Sequence, residues 1–430
     1  MYFKAMDEKN LLQIPADKFA AAIFDHVRSM SADTEGVTRQ GYGPVESKVL
    51  EWLEGIGKAL DLEIEHDAAG NVWMTLPGRD RSLPAFVAGS HADSVPEGGN
   101  FDGLAGITAA LCVARELRRA SVTPERDYRV LMLRCEESSF FGKAYVGSLG
   151  MMGRLKESDL ALKHRTTGVT LGEYIRACGL DPTRLTTSTP VIDPSRIAAF
   201  VELHIEQGPT LTSQVQTRTG IVTGIRGNIR HKAVRVYGET AHSGAVDKQY
   251  RHDAVMAATR LITRMDDLWD KHLAKGDDLV FTVGVIKTSE TAAISVIPGL
   301  VSFTVDMRSL SAETCRVFHE ELLAEAKRLE AERGVKFEFD DALFTAPAHV
   351  DEKLAARLEE TAKRALLPVM RLPSGAGHDS AMLGNCGIPV AMIFVANQNG
   401  SHNPHEAMLL EDFMKGVELL QHTVLDFDQH

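Results

Sequence analysis

The chain has 430 residues, of which 44% are hydrophobic and 25% charged, and a chain of this length usually divides into more than one hydrophobic core. This ordinary composition excludes a disordered chain, a collagen-like repeat and a small disulfide-stapled scaffold. The formal net charge of −12 disfavours nucleic acid as a partner, because phosphate recognition depends on clustered Lys and Arg.

The N-terminal segment Met1–Lys18 is polar and mixed in charge, so it lacks the basic start and the apolar stretch of a secretory signal. The longest apolar run, Ile388–Ala396, is far shorter than the roughly 20 residues that span a bilayer. The five cysteines are scattered and show no CxxC spacing, which indicates neither a disulfide framework nor a zinc ribbon. We therefore expect a soluble cytoplasmic protein with no membrane partner.

Helical periodicity alternates with short apolar strands in the first part of the chain. We predict helices over Val45–Leu60 and Gly103–Arg119, and strands over Pro84–Gly89 and Tyr128–Leu133. A later strand, Ile197–Leu203, has the same character. This alternation indicates α/β layering, in which these elements share one sheet. A C-terminal set of segments continues the pattern over residues 354–366, 380–383, 390–395 and 411–425.

The block between about residues 219 and 339 has a different order of elements. Its pattern, β-α-β-β-α-β, is typical of a ferredoxin-like domain. We therefore predict an α/β domain formed by residues 1–217 and 340–430, interrupted by an inserted ferredoxin-like α+β domain over residues 218–339. The predicted elements of the insert are Ala233–Tyr237, Ala254–Leu268, Leu279–Ile286, Leu300–Arg308, Ala312–Arg333 and Val335–Phe339.

Acidic and histidine residues follow several of the predicted strands, where metal ligands are expected. His91 follows the strand Pro84–Gly89, and Asp93 stands two residues later, where a carboxylate orients the imidazole of a ligand. Asp102 stands at the start of the helix Gly103–Arg119, where it serves equally well as a helix N-cap.

Three further clusters complete the set. Glu136 and Glu137 follow the strand Tyr128–Leu133, and neighbouring carboxylates repel unless cations compensate them. In the strand around His204, alternation places Glu202, His204 and Glu206 on one face. The fifth cluster holds His402, His405 and Glu406. Three histidines and two carboxylates are the set that two ions need when they share one bridging carboxylate, and another carboxylate must stay free to take the proton of a bound water.

The clusters resemble, in their order, the motifs of the hydantoinase/carbamoylase family of amidases. This family includes N-carbamoyl-L-amino-acid hydrolases and allantoate amidohydrolases, within the aminoacylase and carboxypeptidase-like clan of dinuclear metallopeptidases. The resemblance covers nearly the whole chain. It rests on GSHADSVPEGGNFDG, the Glu136-Glu137 pair, ELHIEQGP, ETAHSG, SGAGHD and SHNPHE.

The resemblance implies a hydrolase of linear amides that attacks its substrate with a metal-bridging water. It implies that Asp102 bridges two divalent ions, zinc or else manganese, cobalt or nickel. Glu136 matches the general base, and His242 matches a histidine that stabilises the developing oxyanion. The implied ligands are His91, Asp102 and His204 for one ion and Asp102, Glu137 and His402 for the other.

The resemblance also implies how the substrate, a small amide that bears a carboxylate, is bound. Arg308 matches a carboxylate-binding arginine, and a guanidinium binds such a group through two hydrogen bonds. The inserted domain is expected to act as a dimerisation or lid domain in a homodimer. The other residues implied near the substrate are Gln207, Ser295, Gly377 and His378.

The chain departs from the family pattern at two positions near the expected substrate. Ser295 stands where asparagine is usual before Val-Ile-Pro, and Phe140 stands where arginine is common after the Glu-Glu pair. We expect from these departures an altered substrate preference, with a bulkier or more apolar acyl group than a bare carbamoyl as one hypothesis.

Three alternatives stay open at this point. A dipeptidase or aminoacylase of the same clan shares the metal chemistry. A thiol amidase built on Cys135 beside Glu136 is a different class of enzyme. A non-catalytic metal-binding protein on this scaffold is the third, and the retention of all five ligands together with Glu136 argues against it.

Overall fold

The computed structural model describes residues 8–429, so the part of the N-terminal prediction that concerns residues 1–7 lies outside the described residues. None of the helices within residues 8–429 is both long and apolar enough to cross a membrane. Short 3-10 turns occur at Pro182–Leu185, Pro194–Arg196 and Lys248–Tyr250. The helices are α1 (Glu8–Gln13), α2 (Ala16–Ser31), α3 (Pro44–Ala59), α4 (Leu104–Arg119), α5 (Val146–Met151), α6 (Glu157–Leu160), α7 (Leu171–Ala177), α8 (Ala254–Ala274), α9 (Ala312–Arg333), α10 (Glu352–Arg364), α11 (Asp379–Gly384) and α12 (Leu410–Asp426).

The strands belong to two larger sheets and one short ribbon. They are β1 (Glu63–His66), β2 (Val72–Leu76), β3 (Ala85–His91), β4 (Tyr128–Leu133), β5 (Ile197–Ile205), β6 (Thr219–Ile225), β7 (Gly227–Tyr237), β8 (Ala241–His242), β9 (Val280–Thr282), β10 (Ile286–Thr288), β11 (Val296–Ile297), β12 (Leu300–Ser309), β13 (Lys336–Phe339), β14 (Leu343–Thr345), β15 (Ala348–His349), β16 (Val369–Ser374) and β17 (Val390–Val395).

The described chain forms two compact units. One contains the residues up to Thr223 and those from His349 onward, and the other is the insert Gly224–Ala348. The predicted insert covered residues 218–339, so the observed unit begins and ends later. Strand pairing explains both differences, because β6 pairs with β17 in the larger sheet and β14 pairs with β7 in the insert.

The larger unit is built on a nine-stranded mixed sheet. Its strand order is β1-β2-β4-β3-β5-β17-β6-β15, and β16 pairs with β6. The four central strands, β4, β3, β5 and β17, run parallel to one another, whereas β2 and β6 join them antiparallel. The carboxyl ends of the four parallel strands therefore lie along one edge of the sheet.

Helices cover the sheet on both of its faces, because side chains along a strand alternate between them. Leu131 and Val87 pack in one cluster with Met151 of α5 and Leu383 of α11. Tyr128 lies three residues before Leu131 on β4, so its side chain is on the opposite face of the sheet. Its hydroxyl donates a hydrogen bond to the carbonyl of Ala110 in α4 at 3.0 Å. This is the layering expected of an α/β protein.

The insert has a six-stranded antiparallel sheet in the order β10-β12-β7-β13, with β9 and β14 paired to β12 and β7. Residues from α8 and α9 pack with its strands in one hydrophobic core. Side-chain caps set where these helices begin, since Asp253 accepts from the backbone N–H of Met256 and Ser311 from that of Thr314.

The prediction of a single strand over Leu279–Ile286 in the insert was wrong. This segment forms two short strands, β9 and β10, which both pair with β12. The interruption lies opposite Thr304, where the register of β12 against β7 shifts, and there the Thr304 hydroxyl accepts a hydrogen bond from the backbone N–H of Val285. A bulge of this kind ends regular pairing, and a single-strand pattern does not reveal it.

Candidate active site

The four parallel strands bring the predicted ligands to one edge of the larger sheet. His91 is the last residue of β3, and His204 is the last but one of β5. Glu136 and Glu137 follow β4, and His402 lies on the loop after β17. Since parallel strands end on the same side, residues far apart in the sequence meet there.

Asp102 lies at the centre of this group. Its Oδ1 is 3.4 Å from His91 Nε2 and 3.2 Å from His204 Nε2. Its Oδ2 is 3.4 Å from His402 Nε2, and that same nitrogen is 3.1 Å from Glu137 Oε1. Two groups of three potential ligands therefore share one carboxylate: His91, Asp102 and His204, and Asp102, Glu137 and His402.

The alternative role of Asp102 as a helix N-cap does not hold. Helix α4 begins at Leu104, and the capping position belongs to Gly103. Gly103 has a φ of 68°, and a Cβ added there would lie 2.5 Å from the ring atoms of His91. A glycine at this position therefore lets the turn that carries Asp102 approach His91 closely.

The hydrogen bonds of His204 define its tautomer. Its Nδ1 is 2.9 Å from the carbonyl oxygen of Ile205, which can only accept, so Nδ1 carries the proton. The backbone N–H of Gly103 donates to Nε2 at 3.2 Å, so that nitrogen presents a lone pair. In the neutral ring this lone pair faces a carboxylate oxygen of Asp102. A cation between the two atoms relieves this repulsion, so the donor set fits a divalent metal.

The electrostatics of the site also favour bound cations. Burial raises the pKa of Asp102, but when the neighbouring histidines are protonated, their hydrogen bonds and charge outweigh burial and hold this pKa well below its ordinary value. Hydrogen bonds to Asp102 and Glu137 raise the pKa of His402 to about 10. The carboxylates therefore stay ionised beside positive charge, which protons on the imidazoles supply without a metal and which a divalent ion at the same nitrogens would replace.

Asp93 connects two of the ligand-bearing segments. Its carboxylate accepts from the backbone N–H groups of Glu136, at 2.9 Å, and Glu137, at 3.0 Å. Its Oδ1 also lies 3.4 Å from His91 Nδ1. The hydrogen-bond partner of His91 Nδ1 is the backbone carbonyl oxygen of Asp93, at 3.2 Å. The Asp93 carboxylate holds the Glu136-Glu137 pair, which the sequence did not indicate, and its predicted role in orienting His91 stays a prediction.

Glu136 is buried, with 7% of its surface exposed. Burial raises its pKa well above the ordinary value, and the carboxylates of Glu137, Asp379 and Asp93 add to this effect against the opposing charge of His91. Within residues 8–429, the Glu136 carboxylate makes no hydrogen bond to another side chain. It is therefore available to exchange a proton with a bound molecule.

Besides His402, two polar side chains contact the outer oxygen of Asp102, and Glu406 lies next to one of them. Gln207 donates its Nε2–H to Asp102 Oδ2 at 2.7 Å, so the residue predicted near the substrate contacts the central carboxylate. The Ser401 hydroxyl lies 2.6 Å from Asp102 Oδ2 and 2.5 Å from Glu406 Oε2, and it can donate to only one of them. Glu406 in turn accepts from the backbone N–H of Phe101 at 2.8 Å.

A buried arginine that sequence reasoning missed supports the same loops. Arg39 is fully buried and donates its Nε–H to the carbonyl of Ala92 at 2.8 Å and an Nη1–H to the Asn100 side chain at 3.2 Å. It therefore joins the loop after β3 to the turn that carries Asp102. A single arginine outside any motif carries no sequence signal for this role.

The polypeptide turns sharply where three of these segments leave their strands. Cys135, Gln207 and His402 have φ angles of 52°, 64° and 59°, in the left-handed region that residues other than glycine rarely adopt. Such conformations persist only where surrounding contacts hold them, and they cluster at functional sites.

The other acidic residues of the strand-end clusters serve the fold. Glu202 accepts from the hydroxyls of Ser90 and Ser380, both at 2.7 Å. Glu206 accepts from the backbone N–H groups of Thr210 and Leu211. Hydrogen-bond donors therefore occupy the oxygens of both carboxylates.

The SGAGHD segment lies behind His204. The His378 ring centroid is 4.6 Å from that of His204, and its Nε2 is 2.8 Å from the Ser374 hydroxyl. Burial lowers the pKa of His378 well below the ordinary value, so the ring is neutral. Gly377 lies so close to the Tyr145 hydroxyl that a Cβ there would clash. Substrate binding by Gly377 and His378 stays a prediction.

The structure places the remaining predicted residues in the insert. His242 lies on β8, opposite Val296 of β11, and the carbonyl of Ser295 accepts from the backbone N–H of Ser243 at 2.9 Å. Arg308 forms an ion pair with Asp306 at 2.9 Å. The roles of His242, Ser295 and Arg308 in the reaction stay predictions.

Two sequence-based ideas are not supported by the structure. Phe140 is buried and stacks on His164 with ring centroids 5.5 Å apart, so its ring packs in the core instead of lining an acyl pocket. Cys135 is also buried, and burial raises the pKa of its thiol well above the ordinary value. A protonated, inaccessible thiol is a poor nucleophile, which argues against a thiol amidase.

Comparisons with known proteins point in one direction. The sequence model of peptidase family M20/M25/M40 matches residues 87–426. The N-carbamoyl-L-amino acid amidohydrolase of Geobacillus stearothermophilus is 32% identical, over 92% of this chain and 94% of that protein. The allantoate amidohydrolase of Escherichia coli is 32% identical, over 91% and 93%.

The fold is also similar to that of solved structures. A hydantoinase/carbamoylase family amidase from Burkholderia multivorans superimposes with a TM-score of 0.87 at 28% identity, covering 96% of this chain and 98% of that one. A family amidase from Burkholderia phymatum superimposes with a TM-score of 0.83 at 27% identity, over 96% and 98%.

Proposed function

This chain belongs to peptidase family M20/M25/M40, and from that premise we propose that it hydrolyses an N-carbamoyl or N-acyl derivative of an amino acid-like carboxylate. It is a hydrolase that acts on non-peptide C–N bonds in linear amides. The observation that carries the finer proposal is the pairing of two ligand groups around Asp102 with the buried, unengaged carboxylate of Glu136.

We propose that two divalent ions are held at these groups, one by His91, Asp102 and His204 and the other by Asp102, Glu137 and His402. When bound, such ions lower the pKa of a water molecule towards neutrality and polarise the carbonyl of the substrate. The mixed imidazole and carboxylate donors suit zinc, and also manganese, cobalt or nickel.

In this proposal Glu136 is the general base and then the general acid. Its raised pKa makes the Glu136 carboxylate a stronger base than an ordinary one, so it accepts a proton from the attacking water and can afterwards release that proton to the leaving nitrogen. Asp93 holds the backbone of Glu136 and keeps the carboxylate in place during both transfers.

The further roles rest on the resemblance. We propose that His242 stabilises the oxyanion, that Arg308 and Ser295 contribute to recognition of the substrate carboxylate, and that the protein is a homodimer. The five cysteines are free, which supports the proposed cytoplasmic location.

The test is a reconstitution experiment. The metal-stripped protein is reloaded with zinc, manganese, cobalt or nickel and assayed for release of the free amine and of ammonia. The panel contains N-carbamoyl, N-formyl and N-acetyl amino acids, allantoate and dipeptides. We expect metal-dependent turnover of an N-carbamoyl or N-acyl compound.

The matched control is Glu136→Gln, which keeps the ligands and removes the base. This variant is expected to bind the same number of ions and to lose turnover. Preferential hydrolysis of dipeptides would instead assign the dipeptidase alternative, and turnover unchanged by Glu136→Gln would contradict the mechanism.

A further inference from the structure

One buried carboxylate outside the ligand groups holds two strained turns. Glu46, on α3, is fully buried. Its Oε1 accepts from the backbone N–H of Cys135 at 3.0 Å, and its Oε2 accepts from that of Tyr42 at 2.7 Å. Cys135 and Tyr42 have φ angles of 52° and 55°, both in the left-handed region. The same side chain therefore stabilises two unfavourable backbone conformations.

Arg134 provides the charge that keeps Glu46 ionised. Its Nε and Nη2 lie 2.8 Å and 2.6 Å from Glu46 Oε2, and Nη2 also donates to the Ser47 hydroxyl at 2.7 Å. The guanidinium lies over the Tyr42 ring, 4.7 Å from its centroid. A buried ion pair needs hydrogen bonds of this quality to offset its desolvation.

Each residue of the segment 134–137, which includes the Glu136-Glu137 pair, donates its backbone N–H to a side chain from another part of the chain. The N–H of Arg134 donates to Asn71, that of Cys135 to Glu46, and those of Glu136 and Glu137 to Asp93. Within this run, Cys135 alone has a positive φ. Glu46 therefore controls the turn after which Glu136 and Glu137 enter the site.

The packing around Cys135 leaves this turn little freedom. A Cβ added at Gly41 would lie 2.5 Å from the Cys135 sulfur, so the side chain packs directly against the Gly41 backbone. On its other side, the carbonyl of Cys135 accepts from the N–H of Val146 at 2.9 Å. The peptide unit that carries the Cys135 N–H includes the carbonyl of Arg134, which accepts from the N–H of Gly147 at 3.0 Å. Loss of the Glu46 contact would leave the Cys135 N–H buried without an acceptor and would remove one of the two hydrogen bonds that hold this peptide unit, which allows the turn to shift.

We propose that Glu46 is a positioning residue for the reaction, and that its carboxylate, by holding the Cys135 N–H, aims Glu136 and Glu137 into the site. The inference rests on the proposed function for the role of Glu136. A purely structural role for Glu46, as the partner of Arg134, makes a different prediction, and paired variants separate the two.

The test compares two double variants that both lack the buried ion pair, Glu46→Gln/Arg134→Met and Glu46→Met/Arg134→Met. Replacing both members of a buried pair by neutral side chains of similar size often leaves stability intact. Glutamine and methionine have similar length, but only glutamine offers an oxygen to the Cys135 N–H. The assays are kcat and KM on the N-carbamoyl amino acid that the parent protein hydrolyses fastest.

We expect the glutamine variant to retain kcat within about 10-fold of the parent, because its single amide oxygen can serve one of the two N–H groups. We expect the methionine variant to lose about 100-fold in kcat with little change in KM, as a misplacement of about 1 Å can cause. Zinc affinity, measured by competition with a chelator, is expected to fall about 10- to 100-fold in the methionine variant, because Glu137 is displaced as well.

Equal kcat and equal zinc affinity in two folded variants would overturn the proposal. If the methionine variant fails to fold, Glu46→Asp serves instead, since it keeps the charge but withdraws the carboxylate by one methylene. A loss of kcat of about 10-fold or more in Glu46→Asp supports the proposal, and parental kcat overturns it. If the parent binds zinc but hydrolyses nothing on the panel, the proposed function fails, whereas the zinc comparison still tests the positioning role.

Discussion

Asp93→Asn is predicted to disturb the site without removing a ligand. The carboxylate accepts from two backbone N–H groups, at 2.9 and 3.0 Å, in a buried environment. An amide has one oxygen, so one N–H keeps a neutral and weaker acceptor, at a loss of about 1 kcal/mol. The other N–H then faces the amide nitrogen, and an unsatisfied buried N–H costs about 1–3 kcal/mol. The total is about 2–4 kcal/mol.

Part of this cost should appear as displacement of Glu136 and Glu137, because their N–H groups are the ones affected. We therefore expect zinc affinity to fall about 10- to 100-fold, with a parallel loss of kcat. The assays are competition with a chelator, kcat on the best substrate of the panel, and unfolding by denaturant.

Asp340→Asn is the matched control for Asp93→Asn. Asp340, in the insert, also accepts from a backbone N–H, that of Lys232, and from a histidine, His231. It should lose stability and keep the zinc affinity of the parent. An Asp93→Asn protein that binds zinc within about 3-fold of the parent would refute the reasoning, because it would show that these two N–H groups do not position the pair.

Three further outcomes follow from the site. Asp102→Asn should abolish the binding of both ions, whereas His402→Ala should weaken chiefly one, and metal content per chain distinguishes the two results. Burial raises the pKa of Glu136 well above its ordinary 4.5, and only the ionised carboxylate accepts a proton. We therefore expect kcat to fall as the pH decreases through that raised pKa, and a fall in kcat centred at pH 4.5 would contradict this. Arg39→Met leaves the buried oxygens of Ala92 and Asn100 without their donor, so it should destabilise the fold by about 1–3 kcal/mol for each and lower zinc affinity. Denaturant unfolding and chelator competition measure the two effects.

Local sequence patterns predicted most elements of the fold. The bounds of α9, β4 and β17 agree with the periodicity to the residue. Long amphipathic helices and short apolar strands can be recognised from local sequence, because the apolar residues of the buried face recur with the period of the element. The division of Leu279–Ile286 into two strands was not visible, because it depends on a register shift in β12, on a different part of the chain.

The candidate ligands could be predicted from the sequence for a similar reason. His91, His204 and the Glu136-Glu137 pair lie at or just beyond the ends of parallel strands, and such ends always meet at one edge of the sheet. The residue types and their positions after apolar strands were therefore sufficient to predict the two groups of candidate metal ligands.

Only the tertiary structure decided which residues hold these ligands in place. The sequence leaves two roles open for Asp102, a helix N-cap and a carboxylate shared by two ligand groups. The structure decides between them, because three histidines from other segments lie within 3.4 Å of its oxygens. Glu46 and Arg39 have no motif, because they bind backbone N–H and carbonyl groups, which every residue type offers alike. Sequence thus specified the chemistry through side chains placed at strand ends, whereas positioning depends on long-range contacts to the backbone that no local pattern encodes.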